Sequence, residues 1–267
     1  MLQIIKNRIL QAFYWPRIYV NRIAFKLSGK TRSNRQELES LRNKYLGKRC
    51  FIICNGPSLK ADDLTKIHEN GDISFAANKI DKIFPKTPWR PTYYSVFDES
   101  LQRTLLSTMQ NVDCECQFYR TDSYLTTRKI SGKKVLWLNT DGNRKYLDNP
   151  KFSENLANVT YAIATVTYIS IELAVYLGFR EIYIIGCDNS YGIEILKDGT
   201  IVNHNKQSYF EGSDAKSQKV AASTWQMNIA YEYARKYADA NGIKIFNATR
   251  GGYLEAFERV DFDTLFS

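Results

Sequence analysis

The segment Asn55–Ser58, which reads Asn-Gly-Pro-Ser, carries the clearest chemical signal in this chain of 267 residues. It follows a short apolar run at Cys50–Cys54 and precedes a polar stretch, Ala61–Glu69, that predicts a helix. Glycine lets the backbone turn sharply and approach a ligand closely, and Ser58 is of a type that caps helices. Because backbone N–H groups at such a turn favour anions, we expect a phosphate-binding site there. A tight turn without a ligand is the alternative, since neither of the two best-known glycine-rich phosphate loops matches the segment.

Polar residues also follow other predicted strands, at the point where each strand ends. Open parallel sheets bind ligands in the crevice outside the carboxyl ends of their strands, so these residues are candidates for one site. Asn and Asp are also ordinary turn formers, which is the competing explanation for each of them. The residues selected on this basis are Asn55, Ser58, Asn78, Asp98, Asp188, Asn189, Tyr191, Asn247, Thr249 and Arg250.

The elements that must position these residues alternate between strands and helices. Near-continuous apolar strands and short helix–strand links predict an α/β fold with a mostly parallel, doubly wound sheet. The expected strands are Cys50–Cys54, Asp72–Ala77, Thr92–Phe97, Cys116–Tyr119, Lys134–Leu138, Glu181–Gly186 and Lys244–Phe246. The expected helices are Ala61–Glu69, Ser100–Met109, Tyr161–Leu177 and Gln218–Asn241.

Composition narrows the class of protein. The chain is 44% hydrophobic, which is ample for a packed core, and it holds five cysteines and two histidines. With so few histidines, and no second cysteine pair to match Cys114-x-Cys116, we expect no metal centre built from these residues. No apolar leader precedes the cysteines, and we therefore expect a reducing, cytoplasmic location.

The positive charge is concentrated at the N-terminus. Residues 1–50 hold twelve of the 37 Lys and Arg but two of the 28 Asp and Glu, so the net charge of +9 belongs to this segment. Apolar residues recur there at helical spacing, first at Leu2, Ile5, Ile9, Ala12 and Phe13, and after Pro16 at Ile18, Tyr19, Ile23 and Leu27. We therefore divide the chain into a basic amphipathic segment, residues 1–46, and an α/β domain, residues 47–267.

Three interpretations of the segment 1–46 remain open. The favoured one is binding to an anionic membrane surface at the inner face of the cell membrane, because no run approaches the roughly 20 apolar residues of a membrane span. The second is docking on its own domain or on a partner chain, which includes a homo-oligomer. The third, nucleic-acid binding, is least favoured because no nucleic-acid module occurs elsewhere in the chain.

Three motifs in order make the chain resemble the MptE-like 6-hydroxymethylpterin diphosphokinase superfamily, which is related to the family 42 sialyltransferases. The first motif is Cys54–Leu59, the second runs from Ala164–Tyr168 through Leu177–Asp188, and the third is Asn247–Leu254. The resemblance implies a Rossmann-like domain that binds a nucleotide, which in the sialyltransferases is the CMP of an activated sugar. It implies nucleotide or sugar contacts for Asn55, Gly56, Pro57, Ser58, Asn78, Thr165 and Thr167, and a contact of Tyr191 with the departing phosphate. Capping for Asn78 and Thr165, and simple packing for Tyr191, are the alternatives.

The catalytic base is the point at which the chain departs from the sialyltransferases. The corresponding stretch, Ser208–Ser213, contains no histidine. His204 lies slightly upstream and is of the right type to deprotonate an acceptor hydroxyl near neutral pH, although it is equally plausible as an exposed loop residue. Asp188 and Glu211 are the alternative bases.

Three functions follow from these observations. The first is a glycosyltransferase that uses a nucleotide-activated sugar, a CMP-sugar by preference, without a cofactor, on a lipid-linked or surface-glycan acceptor. The second is a pterin diphosphokinase, which needs Mg²⁺ and ATP. The third is a non-catalytic nucleotide-binding scaffold in a glycan-synthesis complex. For Arg250, the open roles are contact with a donor carboxylate, contact with a phosphate, and a surface salt bridge.

Overall fold

The computed structural model describes residues 16–142, 144–210 and 221–266. The expectations for Leu2, Ile5, Ile9, Ala12, Phe13 and Glu211 lie outside these described residues. The described part begins with a helix over residues 16–27, here called α1, and a second helix, α2, at Thr31–Ser40. No helix among the residues described is both long enough and apolar enough to cross a membrane.

An eight-stranded sheet forms the centre of the described structure, and every neighbouring pair in it is parallel. Its strands are β1 at Arg49–Ile53, β2 at Ile73–Ala77, β3 at Tyr93–Ser95, β4 at Cys116–Arg120, β5 at Val135–Leu138, β8 at Glu181–Ile185, β12 at Lys244–Asn247 and β13 at Glu258–Arg259. The order across the sheet is β13-β12-β8-β1-β2-β3-β4-β5. The mostly parallel sheet expected from the sequence is thereby confirmed.

Helices cover both faces of the sheet. Alternate residues of each strand therefore pack into two different cores, one on each face. In β1, Cys50 and Ile52 pack on one face, whereas Phe51 and Ile53 pack on the other. The remaining helices are α3 at Ala61–Glu69, α4 at Glu99–Thr104, α5 at Leu106–Asn111, α6 at Tyr124–Thr127, α7 at Val166–Tyr176 and α8 at Thr224–Ala240. The fold is therefore doubly wound and Rossmann-like, as the sequence predicted.

The strand order reverses between β1 and β8. From β1 the chain builds the sheet outward through β5, and it then returns to add β8 on the other side of β1. The carboxyl ends of these two strands flank a topological switch point, where ligands of open α/β sheets bind. The segments that follow them begin at Cys54 and Gly186.

Three helices differ from the sequence expectation. The helix expected over Gln218–Asn241 begins at Thr224, because Ala221–Ala222 form a short strand. The helix expected over Ser100–Met109 is broken into α4 and α5 at Leu105, whose φ of −104° and ψ of 16° are not helical. The helix expected from Tyr161 begins at Val166, because residues 160–161 form a short strand, β7, that pairs with β6 at Thr140–Asp141. A second small sheet contains β9 at Ile193–Ile195, β10 at Ile201–Asn203 and β11 at Ala221–Ala222.

Residues before β1 contribute to the core of the domain. Leu38, Leu41 and Tyr45 are buried in the core cluster on one face of the sheet. Asn34 makes two hydrogen bonds with the backbone of Trp137 in β5, donating to the carbonyl at 2.9 Å and accepting from the N–H at 2.8 Å. The part of the chain between α1 and β1 is thus packed against the sheet.

Candidate active site

A cleft of about 410 Å³ opens at the carboxyl edge of the sheet. Its walls come from the segments that follow β2, β3 and β4, from the start of α7, and from the segment around β11 and α8. Four residues selected from the sequence line this cleft together: Asn78, Asp98, Thr165 and Tyr191. They lie far apart in the chain, so their convergence depends on the strand order.

A smaller recess of about 70 Å³ lies beneath the Asn55–Ser58 turn. It is lined by Asn55, Gly56 and Thr167, and it shares Val166 and Tyr209 with the larger cleft. The Asn55 side-chain N–H donates to the carbonyl of Ala77 at 3.0 Å. Its Oδ1 is buried and has no hydrogen-bond partner within the described structure. Asn55 therefore offers an acceptor to a ligand that brings a donor.

The turn itself is held by Asp188. The N–H and the hydroxyl of Ser58 both donate to Asp188 Oδ2, at 3.2 and 2.8 Å, and the Gly56 N–H donates to the Gly186 carbonyl at 2.7 Å. A β-carbon at Gly56 would overlap the Asp188 carboxylate, which is why glycine is required there. Burial raises the pKa of Asp188, while the hydrogen bonds from Ser58 oppose that shift.

Ser58 does not cap α3, in contrast to the sequence expectation. The residue before the first helical turn is Lys60, which makes no side-chain cap, and the first turn carries Asp62 and Asp63. The N-terminal end of α3 is therefore already supplied with negative charge by its own side chains. The Ser58 N–H is likewise already engaged with Asp188.

The N-terminus of α7 faces the cleft, as do the first turn of α8 and the cap residue of α4. Thr165 caps it by accepting from the Thr167 N–H at 3.2 Å, and both Thr165 and Val166 line the cleft. Ala164 just before it has a φ of 55°, in the left-handed region that alanine rarely adopts. Unusual backbone of this kind is found at ligand sites, and the positive end of the helix favours a phosphate there.

Asn78 and Asp98 follow β2 and β3 and line the same wall of the cleft. Asn78 adopts a φ of 58°, a conformation that asparagine tolerates better than most residues. Asp98 is the cap of α4, with Oδ1 accepting from the Leu101 N–H at 2.9 Å. Arg120, at the end of β4, completes this wall and is held by a two-point contact with Asp122 at 2.6 and 2.7 Å.

Tyr191 also lines the cleft. Burial raises the pKa of its phenol well above the ordinary value. The hydroxyl therefore stays protonated at neutral pH and is available as a hydrogen-bond donor.

His204 lies outside the cleft as described, at the end of β10. Its Nε2 is 3.0 Å from Glu194 Oε2 in the neighbouring strand β9. Glu194 also accepts a hydrogen bond from the hydroxyl of Thr224, which follows the cleft residue Ser223. The Glu194 carboxylate thus links His204 to Thr224, at the edge of the cleft.

The remaining selected residues hold the end of β12 and the loop after β8. Asn247 donates to the Leu254 carbonyl at 2.6 Å, and the Cys187 N–H donates to Thr249 at 3.1 Å. Asn189 donates to Asn228 at 2.7 Å. Arg250 forms ion pairs with Asp63 at 3.0 Å and Asp263 at 2.8 Å, which corresponds to the salt-bridge interpretation of this residue.

The cleft residues that escaped the sequence analysis include Arg120, Tyr209 and Gln226. Arg120 directly follows a predicted strand, so the rule that selected Asn78 and Asp98 would also have found it. Tyr209 and Gln226 carry no comparable signal, because their place in the cleft depends on how the segment after β8 folds back over the sheet.

Comparisons with known proteins identify a family and a fold. The profile of the family described as 6-hydroxymethylpterin diphosphokinase MptE-like matches residues 26–194. No curated protein is matched.

The MAf glycosyltransferase from Magnetospirillum magneticum AMB-1 has a similar fold, with a TM-score of 0.52 and 14% identity over 84% of this chain. The matched part is 35% of that protein, so this chain spans about a third of its length. The sialyltransferase CstII from Campylobacter jejuni, solved with cytidine-5'-monophosphate, aligns with a TM-score of 0.45 and 16% identity over 80% of this chain and 85% of that one.

Proposed function

The chain belongs to the 6-hydroxymethylpterin diphosphokinase MptE-like family, and we propose that it is a glycosyltransferase that uses a nucleotide-activated sugar. The observation that carries the proposal is the convergence of Asn78, Asp98, Thr165 and Tyr191 on one cleft at the carboxyl edge of the sheet, next to its switch point. The preference for a CMP-sugar comes from the resemblance of the motifs to the family 42 sialyltransferases.

In this proposal the donor lies across the recess and the cleft. The nucleoside enters beside Asn55, whose free Oδ1 accepts from a ribose hydroxyl or a base amino group. The phosphate lies at the N-terminus of α7, where the helix dipole and the backbone N–H groups favour negative charge. The sugar extends toward Asn78 and Asp98, which offer hydrogen bonds to its hydroxyls.

The chemistry proposed is displacement at the anomeric carbon. An acceptor hydroxyl forms the new bond to that carbon, the bond to the phosphate oxygen breaks, and the phosphate leaves with the electron pair. The protonated hydroxyl of Tyr191 donates a hydrogen bond to the leaving phosphate, where negative charge develops. No step in this scheme requires a metal or another cofactor.

We assign the acceptor proton to His204 in this proposal. His204 does not line the cleft, and the assignment rests on its link through Glu194 to Thr224, next to the cleft residue Ser223. If Glu194 accepts the Nε2–H, the other ring nitrogen, Nδ1, is the one left free to accept a proton. The carboxylate then stabilises the imidazolium that forms. Asp188 is the less favoured base, because its Oδ2 already accepts two hydrogen bonds from Ser58.

Nucleotide binding is the first test, by calorimetry on the full chain with CMP, CDP, UDP, GDP and ATP, each with Mg²⁺ and with EDTA. We expect CMP to bind regardless of EDTA. Gln226→Ala, in the cleft wall, should weaken binding about tenfold, since in this proposal its side-chain amide hydrogen-bonds the bound nucleotide. Glu232→Ala, on the exposed side of the same helix, is the matched control. No response to any nucleotide would refute the proposed site.

Turnover is the second test, measured as release of CMP from a CMP-sugar. Tyr191→Phe keeps the ring and removes the donor, so we expect kcat to fall about 100-fold with little change in the Kd of CMP. Tyr253→Phe, an exposed tyrosine, should behave as wild type. His204→Gln should lower kcat about 100-fold or more with little change in the Kd of CMP, because it removes the proposed base. An unchanged kcat would transfer the role to Asp188, tested with Asp188→Asn.

A second function is favoured by the family description itself, namely a Mg²⁺- and ATP-dependent diphosphokinase. The described residues contain no group of three or more side chains that would hold a metal by themselves. A Mg²⁺ ion carried on ATP phosphates requires only one or two protein carboxylates, which Asp98 would supply at the cleft. A response to ATP alone, lost in EDTA, would support this function. Nucleotide binding without any turnover would support the third function, a non-catalytic nucleotide-binding scaffold.

A further inference from the structure

Helix α1 has two faces with different surroundings. Ile18, Asn21 and Phe25 are buried against the domain. The Phe25 ring lies 5.3 Å from that of Tyr124 and 5.8 Å from that of Trp137, measured between centroids. The sequence pattern grouped Ile18 with Tyr19, Ile23 and Leu27 on one apolar face, but the structure separates them.

The opposite side of α1 exposes large apolar side chains. Tyr19 is 63% exposed, Val20 and Ile23 are each 53% exposed, and Leu27 is 81% exposed. We call these four residues the outer strip. The other exposed large apolar residues of the described chain are scattered over separate elements, at Leu46, Leu196, Ile201 and Tyr253. The outer strip is therefore a concentrated surface with no cover within the described structure.

The surroundings of the outer strip are basic. Residues 16–35 contain six Lys and Arg and no acidic residue. Beside α1, a groove of about 440 Å³ is lined by Arg22, Lys26 and Arg35 around an apolar floor that includes Phe25 and Trp137. An apolar strip flanked by lysine and arginine matches the surface of a bilayer that contains anionic lipid.

Helix α1 is also tied to the wall of the cleft. Arg17 pairs with Glu99, the neighbour of the cleft residue Asp98. Arg22 donates to the Thr140 carbonyl at 2.7 Å and lies 3.7 Å from Asp122, the carboxylate that holds Arg120. The helix therefore lies next to the carboxyl edge of the sheet, where the cleft opens.

We propose that the outer strip of α1 is a membrane-binding surface for anionic lipid bilayers, which holds the mouth of the cleft beside the lipid head groups. The aliphatic and aromatic side chains enter the interfacial region, while the lysines and arginines face the anionic head groups. Binding by the strip is independent of the reaction in the cleft. Only its use, the presentation of an amphiphilic acceptor to the site, rests on the proposed glycosyltransferase function.

The test is co-sedimentation of the full chain with vesicles of phosphatidylcholine alone and of phosphatidylcholine mixed with phosphatidylglycerol. We expect binding to the anionic vesicles only, weakening as the salt concentration rises toward about 1 M, where charges are screened within about 3 Å. The double variant Ile23→Ser/Leu27→Ser should lose roughly tenfold or more in partition coefficient, because two inserted apolar side chains are removed.

Matched controls separate the strip from general effects. Leu196→Ser/Ile201→Ser removes two exposed apolar residues from the β9–β10 hairpin and should bind vesicles like wild type. Lys26→Glu should weaken binding, whereas Lys236→Glu, on the exposed side of α8, should not. An unchanged melting temperature of each variant shows that the fold is intact, and unchanged CMP binding keeps this result separate from that of the cleft.

Three outcomes would overturn the proposal. The first is that wild type does not bind anionic vesicles at all. The second is that the strip variant binds as well as wild type, which would place the lipid contact outside α1. The third is that light scattering finds wild type dimeric and the strip variant monomeric, which would make the strip an interface between two copies of the chain.

Discussion

Two hydrogen bonds from Ser58 to the carboxylate of Asp188 fix the turn after β1. A negative charge therefore already lies against the backbone N–H of this turn. A nucleotide phosphate at the same place would meet an occupied donor and a like charge. This is the physical reason for placing the phosphate at α7 instead.

Ser58→Ala tests that assignment. The substitution removes one donor to a partly buried carboxylate, so we expect a loss of about 1–3 kcal/mol in the free energy of unfolding, measured with urea. CMP affinity should change less than about threefold, because Ser58 contacts Asp188 and not the ligand. Ser107→Ala, at an exposed position, is the control. A large loss of CMP affinity at unchanged stability would return the phosphate to this turn.

Glu172 is a buried carboxyl outside the cleft, on α7. It accepts hydrogen bonds from the Ser153 N–H at 2.7 Å, the Thr160 hydroxyl at 2.6 Å and the Tyr161 N–H at 3.0 Å. Burial outweighs these bonds and raises its pKa from 4.5 to about 8. The protonated form is therefore the stable one in the folded protein at neutral pH.

A pH dependence of stability follows from this shift. Because the folded-state pKa lies above the unfolded value, the stabilisation is complete below about pH 4.5 and is lost as the pH rises through about 8. Glu172→Gln carries no titrating group. Its unfolding free energy relative to wild type should therefore rise across this range, by roughly 1.4 kcal/mol per pH unit at most. Parallel stability curves for the two proteins would contradict the shifted pKa.

At the scale of elements, the start of α7 has a strained backbone at the point where it lines the cleft. Ala164 occupies the left-handed region immediately before the cap residue Thr165. The short pairing of β6 with β7 delivers the chain to this point, and the helix then points its N-terminus into the cleft. Position 164 is thus strained because the elements on either side fix it.

Substitutions at Ala164 should reveal this strain in opposite directions. Ala164→Gly removes the β-carbon that disfavours positive φ, so we expect the free energy of unfolding to rise by up to about 1 kcal/mol. Ala164→Val should lower it by about 1–3 kcal/mol, because a β-branched residue tolerates this region poorly. Thermal unfolding of the two variants beside wild type measures both. Equal stability of all three would mean that the backbone relaxes at this position.

At the scale of the whole molecule, the parts before and after Gly47 form one packed unit within the described chain. Leu38 and Leu41 are buried in the same core cluster as strand residues of β1 and β2. Asn34 satisfies two backbone groups of Trp137. Removal of this segment would uncover apolar core and leave those two groups without partners.

A chain of residues 47–267 should therefore fail to unfold cooperatively. Each buried leucine is worth about 1.5–3 kcal/mol, and the lost hydrogen bonds add to this, against a total stability of about 5–15 kcal/mol. A chain of residues 16–267 keeps every described contact and should melt in a single transition. Calorimetry of the two chains tests this prediction, and a cooperative transition in the shorter one would show that residues 47–267 fold independently.

The sequence by itself determined the strands, the parallel sheet and the edge at which the site lies. Buried parallel strands are short apolar runs ended by polar residues, and this signal is local. The same rule selected Asn78, Asp98 and Tyr191, and the family resemblance added Thr165. All four line the cleft because strand order brings the ends of separate elements together.

Only the tertiary structure decided which partners these residues meet. Ser58 meets Asp188 because β8 lies beside β1 in the sheet. Arg250, which follows β12, meets Asp63 in the first turn of α3. No local sequence pattern encodes either neighbourhood. The buried face of α1 is set by Tyr124 and Trp137, which are far from Phe25 in the chain. Helical periodicity states that a helix has an apolar side, but the surface on which it packs decides which residues are covered.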